Sequence, residues 1–256
     1  MKYVYETHLH TIEASACSRT PGEDYIDYMK NLGYSGFIVT DHFFTGNTCI
    51  PANLPWDERV KRYCSGYHHA LDKAGDDFTV LFGVEYNFRG DEFLIYGIDE
   101  QWLLDHPDFT EREDRNKVYE MVHEAGGIML QAHPYRERGY LSDINITPSA
   151  CDGIEGYNAA NPDYQNALAY MYGKERGFKM TGGSDIHYFE QPDMGGTAFD
   201  HPINTIEEFV AAFLNGEGVP VYKKDILNSN IDFAPVSECE DLIFTTKSPT
   251  LPVFWH

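Results

Sequence analysis

Two histidines near the start of the chain, His8 and His10, could bind a metal ion together. They end a short β-prone segment that begins at Tyr3, and side chains two residues apart on a strand project from the same face. Two neutral imidazoles on one face supply half of the ligands of a metal site. On their own, the two histidines could equally be a strand cap and a packing side chain, so the interpretation depends on the rest of the chain.

The same arrangement, an apolar strand-length segment followed by His, Asp or Glu, recurs along the chain. Asp41 and His42 follow the apolar run at residues 36–40, and Glu85 follows the run at 78–84. The residues that share this position, at the ends of five predicted strands, are His8, His10, Asp41, His42, Glu85, His133, Asp185 and His187. A local cap or a solvated strand end would explain any one of them, but not their joint recurrence.

The elements that must position these residues alternate between strand and helix. Apolar segments of strand length cover residues 3–10, 36–40, 78–84, 92–98, 128–132, 153–157 and 178–184. Amphipathic helices are predicted over residues 25–32, 56–74, 163–177 and 205–215, and over a segment from the capping-box residues Thr110 and Glu113 to Gly126. This order predicts an α/β fold with a parallel sheet, about seven strands and a site at their C-terminal ends, as in a barrel.

Length and charge limit the possible classes of protein. A chain of 256 residues suits one large α/β domain, so we predict a single domain over 1–256 with a C-terminal tail from about residue 224 that covers one end. A formal net charge of -22 would repel the backbone of nucleic acids and anionic membranes. A small anionic substrate is compatible with this charge only if cations are concentrated at one site.

The cysteines and the apolar runs indicate the compartment. The five cysteines are scattered and form no C-x-x-C pair, which argues against a disulfide framework and against a thiolate zinc site. No apolar run approaches the roughly 20 residues of a membrane helix, and the N-terminus lacks the order of a signal peptide. We therefore expect a cytoplasmic protein without membrane contact.

Five short motifs resemble those of a known family. The motifs are His8-x-His10, Thr40-Asp41-His42, Gly83-x-Glu85, Ala132-His133-Pro134 and Ser184-Asp185-x-His187. In this order they are similar to the successive motifs of the PHP (polymerase and histidinol phosphatase) family of metal-dependent phosphoesterases. The resemblance implies a distorted (β/α)7 TIM-like barrel and two or three bound divalent metals.

The resemblance also implies a distribution of ligands over these metals. One metal would be held by His8, His10, Glu85 and Asp185. Glu85 would bridge to a second metal that His133 also binds, and His42 and His187 would belong to a third site.

The chain departs from the family pattern at two places. The family often supplies a further histidine from the strand after the bridging glutamate, but residues 92–98 contain none, and Leu94 or Asp99 would take its position. In the loop after the first motif, the candidate ligands are Glu13, Ser15, Cys17 and Ser18. We predict Glu13 as a ligand of the third metal because a carboxylate suits a hard divalent ion. Glu6 is predicted to support a ligand histidine.

This chemistry suits phosphate-ester hydrolysis. Divalent ions acidify water and neutralise charge on phosphoryl oxygens, and mixed imidazole and carboxylate ligands favour Zn, Mn or Fe over Mg or Ca. Asp185, or a metal-activated water, would start the attack, and His187 would assist the leaving group. Arg136 and then Arg19 are predicted to bind the phosphate of a small phosphorylated substrate, whereas Arg138 is expected to form an ordinary surface ion pair.

Two other classes of function remain open at this point. A metal-dependent amidohydrolase would share the H-x-H strand and the late aspartate, although no lysine near a strand end is placed to be carbamylated. A non-catalytic metal-binding module would keep the ligands without turnover. The sequence leaves the substrate and the oligomeric state undetermined.

Overall fold

The computed structural model describes residues 2–111, 114–244 and 247–256. A curled sheet of ten strands forms its centre, in the order β11-β10-β9-β1-β2-β3-β4-β5-β7-β8. The strands are β1 (Tyr3–Leu9), β2 (Gly36–Val39), β3 (Thr79–Phe88), β4 (Asp91–Tyr96), β5 (Ile128–Gln131), β6 (Ile144–Ile146), β7 (Gly153–Asn158), β8 (Lys179–Gly183), β9 (Met194–Phe199), β10 (Val219–Lys223), β11 (Ala234–Pro235) and β12 (Val253–Trp255).

The sheet closes on itself through the segment that follows β8. The amide of Ile186 donates to the carbonyl of His8 at 3.2 Å, and the amide of His10 donates to the carbonyl of Ile186 at 3.0 Å. These bonds place the segment after β8, which is the last strand in the sheet order, beside β1. The α/β, TIM-like barrel predicted from the sequence is thereby confirmed, and all seven predicted strands contribute to it.

One part of the predicted sheet is wrong. The structure pairs β4 antiparallel with both β3 and β5, so the sheet is not parallel throughout. The reason is the connection, because Arg89 and Gly90 form a tight turn with positive φ angles of 61° and 122° and leave no room for a helical crossover. Glu85 consequently lies inside β3 and not at its end.

Three strands of the sheet, β9, β10 and β11, were not predicted. β9 pairs antiparallel with β1 and with β10. Its sequence contains Gly195 and Gly196, which weaken any strand signal. The packing requires them, since a Cβ at Gly195 would lie 2.3 Å from the carbonyl oxygen of Gly183.

The helices cover the outside of the sheet and one of its ends. Their bounds are α1 (Tyr25–Leu32), α2 (Trp56–Tyr63), α3 (Ser65–Ala74), α4 (Glu100–Asp105), α5 (Arg115–Glu124), α6 (Asp163–Arg176), α7 (Ile206–Leu214) and α8 (Glu240–Phe244). Helix α1 ends at Gly33 with φ 93°, as predicted. The single helix predicted over 56–74 is interrupted at Cys64, and the capping-box residue Glu113 lies outside the described residues.

An apolar cluster fills one end of the barrel. Phe209 and Phe213 of α7 pack in one cluster with strand residues such as Ile38, Leu94 and Leu130. The tail beyond residue 224 adds β11 to the main sheet and β12 beside β6. That residues 1–256 form one domain stays a prediction. None of the described helices combines the length and apolarity needed to cross a bilayer.

Candidate metal centre

Seven of the eight predicted metal ligands converge at one end of the barrel. They fall into four groups whose ligand atoms lie within 4.8 Å of one another. The groups are His10, His42 and His187; His8, His10 and Asp185; His8, Glu85 and His133; and His42, Glu85 and Glu92. Because neighbouring groups share members, the side chains form one continuous cluster, which we call the metal cluster.

Backbone hydrogen bonds between neighbouring chain segments produce this convergence. Beyond the end of β2, the amide of Glu85 donates to the carbonyl of Asp41 at 3.1 Å, which sets His42 beside Glu85. The bonds of Ile186 to β1 set His8 and His10 beside the motif that carries Asp185. Residues distant in sequence therefore meet because their strands pair.

Glu85 occupies the middle of the metal cluster. Its Oε1 lies 3.1 Å from His8 Nε2 and 3.2 Å from His133 Nε2. Its Oε2 lies 2.6 Å from His42 Nδ1 and 3.6 Å from His10 Nε2. The two oxygens thus face different groups of ligands, which is the arrangement that a bridging carboxylate requires.

Hydrogen bonds on the far side of two imidazoles fix their orientation and tautomer. Ser15 Oγ donates to Asp41 Oδ1 at 2.6 Å, so it accepts from His10 Nδ1, which lies 3.0 Å away. His8 Nδ1 lies 2.9 Å from Glu155 Oε1 and must donate to it. The Nε2 lone pairs of His8 and His10 are therefore directed into the metal cluster, as metal-bound histidines require.

The donor set fits divalent metal ions. Four buried atoms of the metal cluster lie close to other ligand atoms but form no well-aligned hydrogen bond: His8 Nε2, His10 Nε2, His42 Nδ1 and Glu85 Oε2. Buried polar atoms are rarely left unpaired because they lose their hydration without compensation. A divalent cation would satisfy all four, and the mixture of imidazole nitrogens and carboxylate oxygens suits Zn, Mn or Fe.

The electrostatics of the metal cluster favour cations. Burial would raise the pKa of the Glu85 carboxyl, but His42 and His8 hold this pKa well below its usual range. Burial would likewise raise the pKa of the Asp185 carboxyl, but Arg136 and His8 hold this pKa well below its usual range. The pKa of His10 is lowered by burial and by His187 and His42, so its imidazole is neutral. Burial would lower the pKa of His8 and His42, but neighbouring carboxylates hold both well above the usual range, so a metal ion bound there would displace a proton from these imidazoles.

Two residues of the metal cluster have unusual backbone angles. His133 has a φ of 29° and Asp185 a φ of 53°, although neither residue is glycine. This left-handed region costs about 1 kcal/mol or more for an ordinary residue and is found where function fixes a side chain. The amide of His133 donates to Glu155 Oε2 at 3.0 Å, which helps to hold the strained conformation.

The sequence analysis missed Glu92. Its carboxylate lies 3.4 Å from His133 Nε2 and 3.7 Å from His42 Nδ1. The expectation that Leu94 or Asp99 takes this position is wrong, because Leu94 lies in the apolar cluster and Asp99 caps α4. The β3–β4 turn was the available signal, since it pairs Asn87 with Glu92 and so directs Glu92 to the same face as Glu85.

Two further glutamates support the ligands. Glu155 is fully buried, and it accepts from Asn158 Nδ2 at 2.9 Å in addition to its contacts with His8 and His133. Nothing in the sequence analysis marked it. Glu6 accepts from the amides of His8 at 2.7 Å and Ser184 at 2.9 Å, as predicted for a residue that supports a ligand histidine.

Glu13 is the predicted ligand that the structure does not bring to the metal cluster. Its carboxylate accepts from the amide of Gly22 at 3.2 Å and lies 3.1 Å from His69 Nδ1. The loop turns this side chain towards the start of the next helix, so the prediction is wrong. Cys17 of the same loop lies beside His42 and His187; burial alone would raise its pKa, but hydrogen bonds to these two imidazoles lower it to about 6.

A cleft of about 630 Å³ opens beside the metal cluster. His42, Asp185 and His187 line it together with Arg136, Arg138 and Tyr140. Arg136, predicted to bind substrate, donates through Nη2 to Asp185 Oδ2 and, at 3.1 Å, to Asn158 Oδ1. One cationic side chain is thus in direct contact with the metal cluster.

The other two arginines differ from the predictions. Arg19 does not line this cleft, because its guanidinium lies over the ring of Tyr188, 5.8 Å from the centroid, in a separate depression. Arg138 lines the cleft, and no carboxylate among the described residues pairs with it. The structure therefore places Arg19 outside this cleft and gives Arg138 no carboxylate partner among the described residues.

Fold and site together define an α/β barrel with a buried cluster suited to divalent metals at one end. A family model described as PHP-associated matches residues 163–217. No curated protein matches the chain. The resemblance to the PHP family predicted from the five motifs is supported by this match over residues 163–217 and by the fold.

Three solved structures share the fold at low sequence identity. A two-domain protein from Bacteroides vulgatus, containing a predicted PHP-like metal-dependent phosphoesterase, has a TM-score of 0.63 at 15% identity and covers 85% of this chain and 64% of its own length. A candidate metal-dependent phosphoesterase from Bifidobacterium adolescentis has a TM-score of 0.50 at 14% identity, and the match covers 82% of this chain and 96% of that protein. The lesion-specific endonuclease PfuEndoQ from Pyrococcus furiosus has a TM-score of 0.53 at 15% identity, and the match covers 100% of this chain and 75% of that protein. The chain therefore spans less than two thirds of the Bacteroides protein.

Proposed function

We propose that this protein is a metal-dependent phosphoesterase that hydrolyses a small phosphate ester. The main support is the set of four buried ligand atoms without a well-aligned hydrogen bond, which lie beside a cleft that Arg136 also lines. The ligand atoms suit divalent cations, and guanidinium groups suit phosphoryl oxygens. The description of two proteins of the same fold as metal-dependent phosphoesterases agrees with this proposal.

The ligands would hold two or three divalent ions, with Zn, Mn and Fe as the candidates. In this proposal, His8, His10, Glu85 and Asp185 bind one ion. Glu85, His133 and Glu92 would bind a second, and His42 and His187 would bind a third, with Cys17 of the same cleft as a further candidate ligand. Bound ions of this kind acidify water and stabilise negative charge on phosphoryl oxygens.

The side chains around the cleft would orient the substrate and move its protons. Arg136 is held by Asp185 and Asn158 in a position from which it can donate to a phosphoryl oxygen. Asp185 can accept a hydrogen bond from the attacking water. His187 is the histidine of the metal cluster that is most open to the cleft, with 20% of its side chain exposed, and when only two ions are bound it would donate a proton to the leaving oxygen.

The proposal is tested by assaying the protein on substrates of several classes. Protein loaded separately with Zn, Mn or Fe(II) is assayed on phosphomonoesters, nucleoside monophosphates, a phosphodiester, a DNA oligonucleotide and simple amides. We expect phosphate release from the small esters and none from the His8→Ala variant. Faster hydrolysis of amides would favour an amidohydrolase, and faster cleavage of DNA would contradict a small substrate. Retained metal without turnover of any substrate would favour a binding module.

A further inference from the structure

Arg138 is a charged residue of the cleft that the proposed chemistry does not use. Its guanidinium donates to neutral oxygens, the carbonyls of Glu137 at 3.0 Å and Ala160 at 3.2 Å and the amide oxygen of Asn161 at 3.3 Å. These bonds fix the position of the group without neutralising its charge. In a chain with 41 acidic and 19 basic residues, a half-buried guanidinium without a carboxylate partner needs an explanation.

A second cation lies directly beside it. Asn161 is buried, and its Oδ1 accepts from Arg136 Nε at 2.9 Å as well as from Arg138. The charge of Arg136 is offset by Asp185, whereas that of Arg138 is not. Burial and the neighbouring Arg136 both lower the pKa of Arg138. Two adjacent cations repel each other unless an anion is bound between or beside them.

We infer that Arg138 binds a second anionic group of the substrate, a carboxylate or another phosphate close to the scissile phosphate. This inference rests on the proposed function, since it places the scissile group at Arg136 and the metal cluster. Arg138 is held beside Arg136 by the shared Asn161, so one small molecule can reach both guanidiniums. The substrate class is then a phosphate ester with an additional oxyanion, and Arg138 acts as a specificity residue.

The test uses three phosphonates that are not hydrolysed and differ only at the far end of a three-carbon chain. They are propylphosphonate, 3-phosphonopropionate and propane-1,3-bisphosphonate, and their affinities for the metal-loaded protein are measured by calorimetry. We expect at least one of the two compounds with a second anionic group to bind about tenfold or more tightly than propylphosphonate, since a hydrogen-bonded charge pair contributes on this scale. The compound that binds more tightly shows whether the protein recognises a carboxylate or a phosphate at this position.

Substitutions of Arg138 assign this preference to one side chain. In Arg138→Gln the advantage of the anionic compounds should fall to within about twofold, and Arg138→Lys should keep part of it. Arg62→Gln, which removes the same charge from an exposed position outside the cleft, is the matched control and should leave all three affinities unchanged. Equal binding of the three compounds by the parent protein, or a preference that survives in Arg138→Gln, would overturn the inference.

Hydrolysis is measured separately, so that the two proposals fail in different ways. Propyl phosphate is the hydrolysable counterpart of the compound without a second anionic group. If the protein releases phosphate from it but the phosphonates bind equally, the proposed function stands and the inference on Arg138 fails. If none of the esters is hydrolysed under any metal, the phosphoesterase proposal fails whatever the binding measurements show.

Discussion

At the scale of single residues, the structure gives Glu85 a central place. Both of its oxygens face histidines, and the buried Oε2 lies 2.6 Å from His42 Nδ1 without a well-aligned hydrogen bond. A carboxylate in this position loses hydration with little compensation, which makes a bound cation the natural partner. The supporting bonds from Glu155 and Ser15 then explain why the imidazoles present Nε2 to the same space.

Glu85→Gln should remove most of the bound metal. An amide cannot act as an anionic bridge between ions, so we expect the metal content per chain to fall by at least one ion and phosphoesterase activity to fall by about 100-fold or more. Metal analysis and phosphate release are the measurements. Asp99→Asn, at the carboxylate that caps α4, is the matched control. Full metal content in Glu85→Gln would contradict the assignment.

Cys17 and Glu13 can be compared directly as ligands of the third ion. Cys17 lines the same cleft as His42 and His187, whereas Glu13 faces Gly22 and His69. We therefore expect Cys17→Ala to lower the metal content by up to one ion per chain and Glu13→Gln to leave it unchanged. Metal analysis after dialysis into metal-free buffer provides the readout. The reverse result would return the third site to the original prediction, Glu13.

At the scale of elements, close contacts between strand backbones determine where the ligands lie. A Cβ at Gly183, at the end of β8, would lie 2.6 Å from the Cβ of His8 and 2.7 Å from Glu155 Oε1. Only glycine leaves enough space for β8 to lie this close to β1. The absence of a side chain at this position is thus part of what places His8 in the metal cluster.

Gly183→Ala should disturb both stability and metal binding. Overpacking at a buried site costs about 1 to 3 kcal/mol, and here the displaced atoms belong to His8 and Glu155. We expect a lower urea midpoint together with reduced metal content. Gly139→Ala is the control, because a Cβ there meets nothing within 4 Å. If Gly183→Ala matched the parent protein in both measurements, the packing at this contact would not matter for the site.

At the scale of the whole molecule, ligands from distant parts of the chain meet at one end of a barrel. His8 and His187 are separated by most of the polypeptide, yet both belong to the same cluster. Cations bound there would link strands that are far apart in sequence. They would also offset part of a net charge of -22, which otherwise opposes compaction.

Removal of metal should therefore lower the thermal stability of the protein. A ligand present at 100 times its Kd stabilises the folded state by about 2.7 kcal/mol, which for a chain of this size corresponds to a shift of about 5 to 10 °C in Tm. Chelation followed by calorimetry measures the loss, and addition of Zn, Mn or Fe(II) should restore it. An unchanged Tm after removal of all metal would argue against a cation that links these strands.

The sequence by itself determined the strand segments and most of the ligands. Continuous apolar runs identified the seven barrel strands, and the residues that follow them included His8, His10, His42, Glu85, His133, Asp185 and His187. This was possible because buried strands and the polar groups at their ends are local features, readable from a few consecutive residues.

Only the tertiary structure decided which other side chains join them. Glu92 joins the metal cluster through the register of a hairpin, the pairing of β7 with β8 brings Glu155 beside its histidines, and the path of a loop keeps Glu13 outside it. Arg138 lines the cleft, whereas Arg19 lies over Tyr188 outside it. Register and loop direction depend on contacts between residues far apart in sequence, and such contacts leave no periodic pattern in the chain.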